Sequence, residues 1–559
     1  MLHNHSVPPI EDTAELRKDR GAFFTPPALA QFIADWAIRA PDDRVIEPSC
    51  GDAVFLAAAG SRLRQLGSTA PTEQLQGHDI HLGSLQDAAS MLSELDLSAR
   101  LIQGDFFDAE PQRVFDAAIG NPPYIRFQGF TGENRAKSLA RALSAGVNLS
   151  GLASSWAAFT VHTTSFLKTG GRLGLVLPAE LLSVRYASPI RDFLLRNFVS
   201  IELVIFDELV FAGVQADVVI LLADGFGQGP AGHFTVYQAK NAASLDKRVG
   251  RRWVPPANSS RWTDALLDVS ATPILGEMQA SGVFAPLREW GTISSGSVTG
   301  ANRFFALSRS EADANDIDHS DLQRLLPPGL SLMAMERITA KGLDSAGVSA
   351  RTRLFYPQEP LRPTALRYIE VGKRQGIPDR YKCRVRNPWW RVPITPVPDL
   401  FVSYMSGATP RMVANQAGAL HLNSIHGLRA LPDFRSLAMK ALPLLSLSSY
   451  SLLSAEIEGR SYGGGVLKLE PREAAKWLVP SPDAAFLALE LHETLLDVGA
   501  KLIKKGDLPG ATEVADQILA DLLQGVSARP IDSLAVRAAR SGLLRRRITR
   551  GRTMGNVAT

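Results

Sequence analysis

The sequence predicts an α/β fold: a doubly wound, mostly parallel sheet, followed by a mixed α+β domain and a helical tail. Three observations predict it. Strand-like segments at Arg44–Glu47, Leu75–Asp79, Leu101–Gly104 and Val114–Ile119 alternate with helical patterns, and each runs into small, acidic or amide residues. Strands separated by helices make parallel sheets, whose ligands lie outside the carboxyl ends of the strands. The composition changes near Lys247, beyond a glycine-rich stretch at Gly225–Gly232 that reads as the end of the first sheet. Finally, 559 residues are too many for one core.

The bulk composition narrows the function. With 45% hydrophobic and 21% charged residues the chain reads as ordinary globular protein. It contains no uninterrupted apolar run of the roughly 18 residues that span a bilayer. Residues 1–20 are polar and charged, which predicts a loose arm rather than a secretory leader. Two cysteines, Cys50 and Cys383, fit a reducing cytoplasm and cannot build a structural zinc site by themselves. Net charge is +4, but it is unevenly placed. Between Arg362 and Arg391 nine Lys/Arg face only Glu370 and Asp379, and from Arg537 to Arg552 seven Arg meet no acid. Such stretches suit a polyanion, although charge runs are also ordinary solvated faces.

The first helix is expected to open at Gly21–Pro27. Thr25 reads as its N-cap, with prolines where helical donors lack partners anyway, and Leu29, Phe32, Ile33 and Trp36 form one apolar face. Glu47 ends the first strand, where a carboxylate can accept from a cationic amine, and Gly51 in the next turn permits close backbone approach. Asp79 ends the second strand, positioned as acids are that bind a ribose diol. At the third, Asp105 can accept from an adenine amino group and Phe106 can lie against its ring. The fourth strand delivers Asn121-Pro122-Pro123-Tyr124. Two prolines remove two backbone donors and stiffen the turn, and the Asn amide offers one acceptor oxygen and two donor hydrogens.

Taken together, Gly21–Pro27, Glu47–Leu56, Asp79, Gly104–Phe106, Asn121–Tyr124, Trp156–Phe159 and Gly170–Pro178 resemble, in order and spacing, the gamma class of N6-adenine DNA methyltransferases of restriction–modification systems. The resemblance covers about the first 225 residues. It implies a seven-stranded methyltransferase sheet over 21–245, a linker over 246–286, a DNA target-recognition domain over 287–482 and a tail over 483–559 with a basic end. It also implies S-adenosylmethionine as cofactor, held by Phe24, Thr25, Glu47, Ser49, Gly51, Asp79, Asp105 and Phe106. Asn121 and Pro122 would hold the target amine, while Tyr124 and Phe211 would stack on the base. The chain departs from the family at Ala53, where a second glycine is usual, and at His81, where an acid or Asn is common.

In the second domain, Tyr381–Arg391 reads as an extended segment whose alternation puts Lys382, Arg384 and Arg386 on one face toward DNA. The Arg-rich end after Arg537 reads as a solvated tail. Double-stranded DNA is the expected partner, with a cognate restriction endonuclease implied by the resemblance; neither a membrane nor a metal is expected. Two other readings stay open: methylation of RNA or of protein glutamine at the same turn, and a non-catalytic DNA-binding protein on a methyltransferase scaffold. No nuclease constellation is evident, and the arm before Gly21 is expected to be too short for one.

Overall fold

The computed structural model describes residues 25–208, 210, 218–231, 233–247, 249–255, 262–267, 273–327, 332–347, 349–462, 465–526 and 531–552. The chain divides into two compact units between Leu266 and Leu267.

The first unit is built on one sheet. In chain order its strands are β1 (Val45–Glu47), β2 (Leu75–Asp79), β3 (Arg100–Gln103), β4 (Phe115–Gly120), β5 (Leu167–Pro178), β6 (Ser200–Phe206), β7 (Val218–Asp224), β8 (Phe234–Ala239) and β9 (Val249–Trp253). They lie in the order β3-β2-β1-β4-β5-β7-β6-β8-β9. The strands from β3 to β5 run parallel, and β7 enters antiparallel between β5 and β6. The expected doubly wound sheet is therefore present, with two strands more than expected.

Period-2 alternation sends neighbouring strand residues to opposite faces. Val45, Ala117 and Ile119 meet α1 (Pro27–Ala37), α2 (Val54–Gln65) and α3 (Leu82–Glu94) on one side. Ile46, Ala118, Leu173 and Leu175 meet α4 (Ser155–Thr164) and α5 (Ser188–Asn197) on the other. Burial on both faces makes the strands almost continuously apolar, as parallel sheets require.

Several expectations need correction. Gly225–Gly232 does not end the sheet, because β8 pairs parallel with β6 and β9 antiparallel with β8. Residues 246–286 are not a free linker. Trp253 and Trp262 pack with Phe234 in the first core, Trp262 donating its backbone N–H to the Leu182 carbonyl at 2.7 Å. Phe284–Pro286 instead pairs with Leu478–Pro480 in the second unit.

The second unit has a five-stranded sheet, in the order Gly291–Ser295, Ile425–Ala430, Leu400–Ser403, Met412–Asn415, Arg337–Ile338. Its main core joins this sheet to the helices Arg435–Leu445, Ser449–Glu458, Pro482–Leu491 and Leu508–Val526. The expected tail is thus part of that core rather than an appendage. The Arg-rich end is no solvated tail either. It is the helix Ser533–Arg552, and Arg547 makes two hydrogen bonds to Glu456 at 2.6 and 2.9 Å, each side chain only 4% exposed. A separate cluster around Phe304, Phe355, Tyr368 and Trp390 carries the basic segment.

Candidate active site

The parallel strands bring their carboxyl ends to one edge. Pairing of Glu47 with Gly77 aligns the ends of β1 and β2. The Glu47 carboxylate is 2% exposed and accepts from the Leu56 N–H in the first turn of α2, at 3.2 Å. Asp79 accepts from the N–H groups of Gly51 and His81, both at 2.9 Å, so it fixes the turn between β1 and α2 as well as facing the edge. Burial, then the charges of Asp52 and Asp79, push the Glu47 carboxyl well above the usual carboxylate range. Burial also raises Asp52.

Gly51 adopts φ +50 and a Cβ built on it would meet no atom within 4 Å. Ser49 lies half-buried in the same turn. Ala53 closes it with φ 64, a left-handed conformation that strains any residue with a Cβ. An acid-lined edge beside an open glycine fits S-adenosylmethionine, whose ammonium and sulfonium outweigh its single carboxylate.

At the end of β3, Asp105 caps the short turn Phe106–Asp108 by accepting from the Phe107 N–H at 3.0 Å. The expectation that the Phe106 ring lies against a ligand is not met. The ring is 2% exposed, stacked on Phe166 and Phe159 with centroids 5.0 and 5.7 Å apart, because Phe159, His162 and Phe166 from and beyond α4 fill that space. An exposed apolar side chain directly after Asp79 is Ile80, 59% accessible, a position not among those predicted. Its signal was a large aliphatic residue placed just past an acidic strand end.

β4 ends at Gly120 and hands the chain to Asn121. Asn121 Nδ2 donates to the Thr25 hydroxyl at 3.2 Å. Thr25 is therefore not the helix cap expected of it. Pro26 occupies that position and, with no side-chain acceptor, makes no side-chain capping bond. The Tyr124 phenol oxygen stands 2.7 Å from Asn121 Oδ1 and 2.9 Å from the Val176 carbonyl, and its one proton serves one of them at a time. Burial raises the phenol well above its usual range, so it remains protonated.

Two successive prolines leave this turn short of donors, and α4 makes up the shortfall. The Ser155 hydroxyl donates to the Pro123 carbonyl and accepts from the Ile125 N–H at 2.9 Å, while the Ser155 N–H donates to the Ile125 carbonyl at 3.0 Å. Ser155, 1% exposed, thus grips the chain on both sides of Tyr124 and was not foreseen. The Pro122 carbonyl has no hydrogen-bond partner among the described residues. Phe24 and Phe211, expected to touch cofactor and base, lie outside the described residues.

Of the basic trio, Lys382 and Arg384 are exposed, but the segment is not extended. Tyr381–Arg384 is a helical turn, and Arg386 is committed to the carbonyls of Val298 and Thr299. A strand would put Val385 on the same face as buried Cys383, but Val385 is exposed, so the alternation of a strand is not kept.

The strand order, the acid-lined β1–α2 turn and the Asn-Pro-Pro-Tyr turn at the same edge define an S-adenosylmethionine-dependent methyltransferase. Residues 10–252 match the family described as N-6 DNA Methylase, and residues 259–520 match the C-terminal domain of Type II methyltransferase M.Eco57I. Type II methyltransferase M.XamI of Xanthomonas campestris pv. amaranthicola is 25% identical over 499 residues, covering 85% of this chain and 88% of the relative. Type II methyltransferase M.AccI of Acinetobacter calcoaceticus is 22% identical, covering 83% and 86%. The solved structure of the Type IIL restriction-modification enzyme MmeI in complex with DNA aligns over 92% of this chain and 75% of its own, with a TM-score of 0.54 and 11% identity, a likeness of fold. Residues 10–252 thus carry an N-6 DNA methylase domain, and over most of its length the chain has Type II methyltransferases as relatives. Among the described residues no helix is long and apolar enough to cross a membrane.

Proposed function

We propose that this protein is an adenine-specific DNA methyltransferase that methylates N6 of a flipped adenine at a particular duplex site, as the modification half of a restriction–modification pair. The observation that carries this reading is the Asn121–Tyr124 turn, clamped by Ser155 and with the Asn121 amide held by Thr25 and Tyr124.

The adenine amino group is a poor nucleophile because its lone pair is delocalised into the ring. Asn121 Oδ1 and the Pro122 carbonyl each accept one amino hydrogen, which keeps electron density on nitrogen as it moves toward sp³. An amide oxygen has two lone pairs, so Asn121 accepts from the base in addition to, or in place of, the Tyr124 hydroxyl. These bonds strengthen as positive charge develops on the nitrogen, and a turn held in place before the base arrives spends nothing on reorganisation. S-adenosylmethionine supplies an electrophilic methyl group, and Glu47, Asp79, Asp105, Ser49, Gly51, Thr25 and Phe24 are the residues assigned to hold it. A target base cannot reach such an edge from within a duplex, so it is flipped, and Tyr124 with Phe211 stacks on it.

Incubation with labelled S-adenosylmethionine and duplex DNA, followed by nucleoside analysis, should give N6-methyladenine. Label in RNA, in protein or on cytosine, with none on adenine, would refute the proposal. A partner endonuclease should be inhibited on DNA that this protein has methylated.

A further inference from the structure

We infer that the turn Tyr381–Val385 is an apolar wedge that enters a groove of duplex DNA, with Arg380, Lys382 and Arg384 on the flanking phosphates. This rests on the reading of the chain as a DNA methyltransferase and adds base contact to a region otherwise assigned only charge.

The turn is firmly seated. Cys383 is fully buried, with Sγ 3.7 Å from the Thr299 carbonyl, and Arg386 donates to the same carbonyl at 2.8 Å. Gly300 lets it approach closely, since a Cβ there would stand 2.7 Å from Lys382 Cβ. Despite this seating, Tyr381 and Val385 are 67% and 66% exposed. Four residues apart, they share one face of the turn. Lys382 Nζ lies 5.4 Å from the Tyr381 ring centroid, which holds the charge beside the ring.

The surroundings select the partner. Arg374, Arg380, Lys382 and Arg384 are all exposed and have no ion-pair partner among the described residues, while the only acids in 362–391 are Glu370, taken by Lys373, and Asp379. Four exposed cations with so few acids nearby complement a polyanion. Exposed apolar side chains ringed by unpaired cations match the way DNA-binding proteins press a wedge against or between base pairs while cations hold the backbone.

The test uses the full chain, its site first mapped from methylated DNA. Tyr381→Ala combined with Val385→Ala should weaken binding to the cognate duplex about tenfold and leave non-specific binding and the salt slope unchanged. Lys382→Ala combined with Arg384→Ala should weaken both kinds of binding and lower the salt slope by about two, roughly one per phosphate contact. Tyr381→Phe should restore cognate binding, because the ring rather than the hydroxyl forms the wedge. Thermal midpoint and S-adenosylmethionine binding should match wild type in every variant. Cognate binding and methylation at wild-type levels in the apolar double variant would overturn the wedge and assign the patch to another partner. A wild-type protein inert on DNA would overturn the methyltransferase reading, and the wedge with it.

Discussion

The proposed catalytic turn at Asn121–Tyr124 and the basic turn at Tyr381–Arg384 are both short, irregular stretches seated by a small buried side chain, Ser155 for one and Cys383 for the other. They differ in what their functional groups do before a ligand arrives. In the first unit Asn121, Tyr124, Thr25 and Asp79 already hydrogen-bond to one another or to nearby backbone. In the second, Lys382 and Arg384 are exposed and carry no ion pair among the described residues. A group that stabilises developing charge gains from being fixed in advance. One that meets phosphates by diffusion gains from remaining accessible and unpaired.

The largest expected effect falls on the fixed turn. Asn121→Ala should lower kcat by about 10²–10³-fold, the usual cost of losing one preorganised polar partner of a transition state, with S-adenosylmethionine affinity unchanged. An equal loss of cofactor binding would mean that Asn121 shapes the cofactor pocket instead. Ser155→Ala should follow, since it orphans the Ile125 N–H and the Pro123 carbonyl at about 1–3 kcal/mol for a buried group left unpaired. Roughly a tenfold fall in kcat with little change in DNA affinity would mark Ser155 as a positioning residue, whereas a fall in thermal midpoint alone would make it merely structural.

A smaller effect concerns pH. Glu47 keeps its proton to higher pH than an ordinary carboxyl, and a cationic ligand favours the charged form. Cofactor binding should therefore release a proton, and affinity should rise with pH until Glu47 is ionised in the free protein, by at most about tenfold per pH unit. Calorimetry in buffers of different ionisation enthalpy measures the proton directly. The smallest effect is Ala53→Gly, which relieves a left-handed alanine and should raise stability by about 1 kcal/mol in denaturant unfolding, with activity retained.

The first unit was largely legible in the sequence because local signals sufficed. Each strand end carries its chemistry within a few residues of the turn that positions it, so Glu47, Asp79 and Asn121 could be placed from pattern alone. What escaped depends on distant partners. β8 and β9 were hidden by the glycine-rich stretch before them, and nothing local announces that Trp253 and Trp262 complete the same core. Lys382, Arg384 and Arg386 alternate in sequence, but Tyr381–Arg384 coils into a helical turn and Arg386 is consumed by backbone 88 residues away. Likewise Arg537 and Arg547 belong to an acid-free run, yet Asp516 and Glu456 neutralise them from elsewhere in the second unit. A charge run states how many cations there are; only packing states which remain open to DNA.

The most direct measurement is base-resolved sequencing of methylated DNA from a host that expresses the protein, with the Asn121→Ala variant beside it. The account predicts N6-methyladenine at one short sequence motif in the wild type and none in the variant. Methylated cytosine, adenine marks scattered without a motif, or marks that survive Asn121→Ala would contradict it.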